Sequence, residues 1–334
     1  MNYVDNAVNQ FRALLEEQIA RSERMLNAAP AKDFTSLETA TIGVIDGDGI
    51  GPIITGQSMR VLQALLKGPT ETPKGGTMES ANVAMRRELD LYANVRPVSV
   101  PEEGIDWTFF RENTEGEYVL GSRGIEIPDT LTMDFKVTTI PGTKRIARAA
   151  FEYAKNNGKH YVAIVTKANI MKKTDGMFSA LCHEIAVEYP EIEVEDWYID
   201  IMTAKLVDTR VRSRFQVFVL PNLYGDIITD EAAQIQGGVG TAGSANLGGR
   251  YAMFEAIHGS APRKIENGEG DYANPASILK ALELLLRHIA LPEKADRLAD
   301  ALRLCAETER RVIVTGHRDG ATCREFGDYL LEKL

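Results

Sequence analysis

Cysteine is scarce: Cys182, Cys305 and Cys323 are the only three in 334 residues. No two stand at metal-ligand spacing, and an odd count does not close a disulfide framework. The reading is therefore free thiols in a reducing cytoplasm. Basic charge is short as well. Thirty-eight Lys and Arg against 48 Asp and Glu leave a net charge of -10. That excludes a general nucleic-acid surface, which needs a positive field, but leaves room for a small basic pocket. Long apolar runs are missing, none approaching the ~20 residues of a membrane span. At the N-terminus Asp5, Arg12, Glu16 and Glu17 interrupt the apolar core that a secretory signal requires. The dinucleotide fingerprint is absent too. Gly47, Gly49 and Gly51 space as G-x-G-x-G, not G-x-G-x-x-G, and no acidic residue stands out downstream to bind a ribose. There is no internal repeat and no low-complexity linker.

What remains has the composition of a globular enzyme, 44% hydrophobic and 26% charged, and a length at which one core tends to split in two. Residues 6–28 place Val8, Phe11, Leu14, Leu15, Ile19 and Met25 at helical spacing, which predicts an amphipathic helix docked on the body or on a partner. The stretch "TIGVIDGDGIGP" from Thr41 predicts a short strand and a glycine turn, with a helix from Ile54 to Leu66 behind it. Further buried strands are predicted at 107–111, 161–166 and 215–220, with helices near 143–157, 174–189, 275–290 and 294–308. Strands separated by helices imply an α/β fold with a largely parallel sheet.

Several stretches carry chemistry. "SANVAMRRELDLYANVRPV" and "RENTEGEY" supply Arg86, Arg96 and Arg111, with Ser80 and Asn82 just upstream. Arginines bind carboxylates in a fork, so three that converge suit a polycarboxylate. Lys167 follows a predicted strand in "TKANIMKKTDGMF"; if partly buried, such a lysine is tuned for proton transfer. In "NLYGDIITDEAAQIQGGVGTAG", Asp226 and Asp230 stand at i and i+4 and share one helical face. Two carboxylates so placed repel unless a cation lies between them, and Mg2+ or Mn2+ prefers such oxygen ligands. The glycine run after them allows close backbone approach. "HGSAP" (258–262) and "YANP" (272–275) are small-residue loops with one ring, His258, suited to a flat base.

These stretches, in this order, resemble the β-decarboxylating dehydrogenases: the isocitrate, homoisocitrate and isopropylmalate enzymes. "GDGIGP", "SANVAMRRELDLYANVRP", "RENTEGEY", "TKANIMKKTDG", "NLYGDIITDEAAQIQGGVG", "HGSAP" and "ANP" carry the likeness over residues 41–275, and "GATCREFGDYLLEKL" extends it to the end. The helix at 6–28 lies outside it. The resemblance implies a two-domain, non-Rossmann α/β fold with a cleft between the domains. Residues 38–91 and 237–334 would form the large cofactor-binding domain, 92–236 the small domain with the dimer interface, and 1–37 a helical extension. It further implies a homodimer in which each cleft borrows residues from the other subunit. Ser80, Asn82, Arg86, Arg96 and Arg111 would bind substrate, and Tyr118 would protonate the product carbon. Lys167 and Asp200 would reach across and take the hydroxyl proton. Asp200, Asp226 and Asp230 would ligate Mg2+ or Mn2+. His258, Gly259, Ser260, Ala261, Arg263, Lys264, Asn274 and Arg318 would meet NAD+ or NADP+. The implied reaction is oxidative decarboxylation of isocitrate, a step of the tricarboxylic acid cycle.

Two departures from the family pattern matter. Between the first helix and "SANV" the relatives place some tens of residues, including strands, that this sequence lacks. A segment missing from the sequence explains this better than a sheet stripped of strands, which would expose apolar edges. The run "VRPVSVPEEGIDW" is slightly short too, and the same explanation serves. Second, Arg263 and Lys264 follow "HGSAP" where NAD-using relatives place an aspartate. A cation there tips the expectation toward NADP+, although of the C-terminal pattern of NADP users only His317 and Arg318 are candidates. Ser80 and Asn82 are polar, which fits the third carboxylate of isocitrate better than the isopropyl group of isopropylmalate. Homoisocitrate or isopropylmalate dehydrogenase is the alternative within the enzyme class. A non-catalytic regulatory subunit is the alternative outside it; such a subunit would lack part of the set formed by Tyr118, Lys167, Asp200, Asp226 and Asp230, which is complete here.

Overall fold

The computed structural model describes residues 3–36, 42–61, 81–121 and 123–334. Seven strands make one sheet. In spatial order they are β6 (Glu193–Tyr198), β5 (Tyr161–Thr166), β7 (Val217–Leu220), β2 (Ile105–Glu112), β1 (Ala93–Val100), β8 (Gly243–Leu247) and β9 (Ala252–Ala256). β6, β5, β7 and β2 run parallel, while β1, β8 and β9 pair antiparallel. The order is not that of the dinucleotide-binding fold. β5 and β7 are buried at every residue, as central parallel strands covered on both faces must be. The outer strand β6 instead carries Glu193, Glu195 and Asp196, charges that discourage pairing with a further strand.

Side chains alternate between the two sheet faces, and each face has its own core. On one, Phe110, Val162, Ile164 and Val219 meet α4 (Ile140–Asn156), α5 (Thr174–Ala186), α9 (Ala276–His288), α10 (Pro292–Arg303) and α11 (Cys323–Lys333). On the other, Trp107, Phe109, Val165 and Phe218 meet α6 (Ile199–Val207) and α7 (Asn222–Ile235). Phe109 and Phe218 stack there with centroids 4.3 Å apart. Thr139 caps α4 by accepting the Gly142 N–H, and a Thr322–Glu325 capping box starts α11. A short hairpin of β3 (Ile125–Ile127) and β4 (Leu131–Met133) stands apart from the sheet. All three cysteines are free and buried. No helix among the described residues is long and apolar enough to cross a membrane.

The strands expected at 107–111, 161–166 and 215–220 are β2, β5 and β7. Other expectations need correction. The segment after Thr41 is not a strand: residues 42–44 are irregular, Ile45 makes only an isolated bridge, and Val44 and Ile45 are 42% and 44% exposed. A β-branched run forms a strand only when neighbours complete its ladder. The helix behind it is α2 (Gly51–Val61), which begins three residues before Ile54, while its expected end at Leu66 lies outside the described residues. The short connection at 62–80 lies outside the described residues, and Ser80 with it. The glycine-rich run after α7 contains β8, and its close approach is to a helix. A Cβ on Gly243 would lie 2.4 Å from the Ala281 nitrogen on α9. The helix predicted to 308 leaves α-geometry after Arg303 for a π-turn over Leu304–Glu309.

The N-terminal helix α1 (Tyr3–Leu26) docks on the body through polar groups. Arg21 bonds Glu115 at 3.0 Å and the Thr114 hydroxyl at 3.1 Å, Arg123 pairs with Glu17, and Gln18 is buried. Phe11 reaches Phe135 with centroids 5.6 Å apart. The apolar row Val4, Val8, Phe11, Leu15 and Ile19 nonetheless remains largely exposed.

Candidate active site

The chemistry-bearing residues gather where the parallel strands end. Lys167 follows the last residue of β5, and Asp200 opens α6 just beyond β6. Thr166 and Tyr198 are register partners, so the two side chains start side by side. α7 leaves the end of β7, and Arg111 and the "RENTEGEY" loop leave the end of β2. The carboxyl edge of parallel strands is where α/β proteins build sites, because the loops there converge.

Arg96 and Arg111 project from the same sheet face, since Arg111 pairs with Asn94, two residues from Arg96 on β1. α7 crosses that face. Asn222 Oδ1 accepts from Arg111 Nε at 2.9 Å and from its terminal nitrogen at 2.6 Å, while the other terminal nitrogen pairs closely with Asp226. Arg96 bonds Thr229 and lies 3.3 Å from Asp230 and 3.9 Å from Asp226. Arg86, on α3 (Ala81–Glu88), pairs with buried Glu255 at 2.8 Å. α7 can pass this close only because residue 225 is glycine: a Cβ there would sit 2.5 Å from Arg111 Cγ.

Burial pushes the Arg111 guanidinium down to about 10, which still leaves it charged at neutral pH; burial also lowers Arg96. Asp226 experiences the opposite balance. Burial resists its charge, but Arg111, the Tyr118 hydroxyl and Arg96 together hold its carboxyl below the usual range. Tyr118 donates to Asp226 Oδ2 at 2.8 Å, and its ring lies under the Arg111 guanidinium. Burial first, and the Asp226 charge second, push its phenol up to about 12, so it keeps its proton across the neutral range. The loop that carries it is held from within. Glu112 accepts the Thr114 N–H and hydroxyl and the Glu115 N–H, and Glu115 accepts the Thr139 N–H.

Asp226 and Asp230 face one guanidinium from adjacent turns, so their oxygens converge, and 41% and 62% of their side chains are exposed. This pair of hard oxygen donors fits a divalent ion, and the exposure leaves an approach to it. It is incomplete in one chain, for no group of three His, Cys, Asp or Glu gathers among the described residues. Asp200 instead pairs with Lys167 at 2.6 Å, which holds the Asp200 carboxyl low. No hydrogen bond or ion pair among the described residues joins that couple to the arginine cluster.

The predicted cofactor residues share one region. Ser260 accepts the Ile50 N–H at 3.0 Å, and Gly49, at φ +58°, packs against the Ser260 carbonyl, where a Cβ would lie 2.1 Å away. The glycine turn at 47–51 thus supports the "HGSAP" loop. Burial lowers His258, favouring a neutral ring. Ala261 takes a left-handed conformation before α8 (Pro262–Glu266), and Asn274 accepts the Ala276 N–H at 2.9 Å. Lys264 bonds the Gly316 carbonyl, and Arg318 bonds the Asn267 carbonyl at 3.0 Å. The Arg263 side chain is exposed and makes no hydrogen bond or ion pair among the described residues.

The sequence reading missed the groups that hold the arginines. Asn222 and Thr229 lie inside a stretch it used only for its aspartates. Glu255 ends a buried chain in which Asn246 bonds it at 2.7 Å and accepts from Asn94 at 2.9 Å and Asn113 at 3.0 Å. Asparagines inside apolar strands were the available signal, because buried amides must find partners.

The profile of the isocitrate/isopropylmalate dehydrogenases matches residues 24–330. This chain belongs to the isocitrate/isopropylmalate dehydrogenase family. It is 35% identical to a probable NAD-type isocitrate dehydrogenase subunit alpha of Drosophila melanogaster, over 92% of each chain. It is 39% identical to an NADP-type isocitrate dehydrogenase of Rickettsia bellii, over 83% of this chain and 58% of that one. The crystal structure of isocitrate dehydrogenase from Methylococcus capsulatus superposes with a TM-score of 0.80 at 32% identity, over 88% of this chain and 99% of that one. As a member of the isocitrate/isopropylmalate dehydrogenase family the protein is an oxidoreductase. Most of α1 lies outside the matched region.

Proposed function

We propose that this dehydrogenase oxidises isocitrate and releases CO2 to leave 2-oxoglutarate, working as a homodimer with shared clefts. The observation that supports the reading is that Arg96 and Arg111 meet the helix face that bears Asp226 and Asp230, with Arg86, paired to Glu255, near enough for its charge to act on all three of Arg96, Arg111 and Asp226. Three guanidiniums beside a pair of hard oxygen donors suit a polycarboxylate that also chelates a cation. With Mg2+ or Mn2+ on Asp226, Asp230 and Asp200 of a second copy, and NADP+ or NAD+ beside His258, the site would gain a Lewis acid for the hydroxyl oxygen and an acceptor for hydride.

The chain's own residues then divide the work. The arginines fix the carboxylates and orient the hydroxyl carbon. The Lys167–Asp200 couple, supplied by the second copy, receives the hydroxyl proton as hydride departs. The β-carboxylate of the resulting ketone leaves as CO2, and its bonding electrons pass into an enolate. Tyr118, protonated across the neutral range, delivers a proton to the carbon that lost the carboxylate. The same reading assigns 38–91 and 237–334 to a cofactor-binding domain, 92–236 to a small domain with the dimer interface, and the protein to the cytoplasm.

Initial rates with isocitrate and isopropylmalate, each with NAD+ and NADP+, test the substrate. Faster turnover of isopropylmalate would move the assignment to the other branch of the family. Ser80 and Asn82 are proposed to read the third carboxylate. A hydrogen bond to a charged group contributes roughly 1.5–3 kcal/mol, or about ten- to a hundredfold in rate. Replacing both with Leu is expected to lower kcat/KM for isocitrate by that factor and to spare an apolar analogue. An equal effect on both substrates would remove these residues from the specificity site.

Arg263 is the exposed cation best placed for a 2′-phosphate, since Lys264 is engaged by Gly316. Arg263→Asp is expected to shift the ratio of NADP+ to NAD+ kcat/KM toward NAD+ by about ten- to a hundredfold. An unchanged ratio would place the discriminating residue elsewhere.

A further inference from the structure

Lys136 belongs to none of the stretches that carry the family likeness, yet its side chain is only 5% exposed. Its ammonium lies 2.6 Å from Asp175 Oδ1, 3.4 Å from Glu117 Oε1 and 4.2 Å from the centre of the Tyr224 ring. Each neighbour leads to a different part of the site. Glu117 immediately precedes Tyr118. Tyr224 stands on α7, two residues before Asp226. Asp175 is fully buried, and its second oxygen accepts the backbone N–H of Lys167 at 2.7 Å.

We propose that Lys136 is a positioning residue that holds the Tyr118 loop, the metal-binding helix and the Lys167 loop in one frame. The chemistry favours this arrangement. A compact ammonium attracts two carboxylates and a ring face from different directions, whereas a planar guanidinium would favour one forked partner. A buried charge needs such partners, and here every partner belongs to a segment that carries a proposed catalytic or metal-binding group. The inference rests on the dehydrogenase reading above for the roles of Tyr118, Lys167 and Asp226. It adds a residue whose side chain lies against the segments that carry them.

The test compares wild type, Lys136→Met and the double variant Lys136→Met/Asp175→Asn. Methionine keeps length and removes charge. Asparagine relieves the carboxylate stranded by the first change and still offers an oxygen to the Lys167 N–H. Lys136→Met is expected to lower kcat for isocitrate by about ten- to a hundredfold, the effect of an ångström-scale misplacement, with KM changed less than about threefold. Amide hydrogen exchange, read by mass spectrometry on the unliganded protein, is expected to quicken at 112–118 and at 167–176 together. The double variant should regain thermal stability without regaining kcat. Recovery of kcat along with stability, or unchanged exchange in either segment, would overturn the proposal and leave Lys136 as a structural ion-pair partner. A wild type that fails to oxidise isocitrate would refute the dehydrogenase reading, while the exchange measurement would still decide whether Lys136 ties the segments together.

Discussion

Asp226→Asn is expected to lower kcat by about a thousandfold with either Mg2+ or Mn2+, equivalent to roughly 4 kcal/mol in the barrier. The substitution keeps the shape of the side chain and removes its charge. Two consequences follow. A hard divalent ion loses one of the two carboxylates that a single chain offers on α7. Arg111, which is 1% exposed, also loses its anionic partner and keeps only neutral oxygens, those of Asn222 and of the new amide at 226. A buried cation without its counter-ion destabilises the fold, so the melting temperature should fall as well. The two effects separate experimentally. Activity is measured against metal concentration on protein shown to be folded by circular dichroism, and thermal unfolding is followed without metal. Near wild-type kcat at saturating metal would mean that Asp226 serves only to hold Arg111. Asp230→Asn should cost less stability, because its side chain is more exposed and its partner Arg96 also bonds Thr229.

Lys167→Met and Tyr118→Phe should each abolish nearly all turnover alone and restore it when mixed. The basis is that Lys167 makes its close contact with Asp200, while Tyr118 and Asp226 meet elsewhere on the same strand edge. If a second copy brings its Lys167–Asp200 couple to this chain's Tyr118, a mixed dimer has one cleft with both defects and one with neither. After full exchange of equal amounts, half the dimers are mixed, so about a quarter of all clefts are intact. Activity should rise to about that fraction of wild type from near zero. No recovery after exchange demonstrated by differential labelling would place both residues in one subunit's cleft.

The sequence was most informative where a residue type has few alternative uses. Arginines and paired aspartates were legible as candidate site residues, and the structure brings Arg96, Arg111, Asp226 and Asp230 together at α7, with Arg86 held by Glu255 beside them. The central strands β5 and β7 were legible because burial on both faces demands continuous apolar residues. β1, β6, β8 and β9 were not. β6 is charged because it lies at the edge, β1 interrupts its apolar residues with the site's own Asn94 and Arg96, and β8 hides among glycines. The run after Thr41 misled in the other direction. Its residues favour a strand, but among the described residues only an isolated bridge forms at Ile45, and Val44 and Ile45 remain exposed. The partners of the arginines stayed invisible because an asparagine or threonine in a helix says nothing about what it faces across a sheet.

Gly225 sets a trade-off between the stability of this protein and the work it does. A glycine inside a helix destabilises by up to roughly 0.5–1 kcal/mol relative to alanine, so any search for sturdier variants would be drawn to position 225, the fourth residue of α7. Its neighbourhood refuses the change, since the added methyl would occupy the volume of the Arg111 side chain. Relief by lifting α7 would separate Asp226 from Arg111, and relief by moving Arg111 would pull it from Asn222. The helix is therefore obliged to stay locally weak so that a charged residue can lie beneath it. Thermal tolerance in this protein must be gained at other positions.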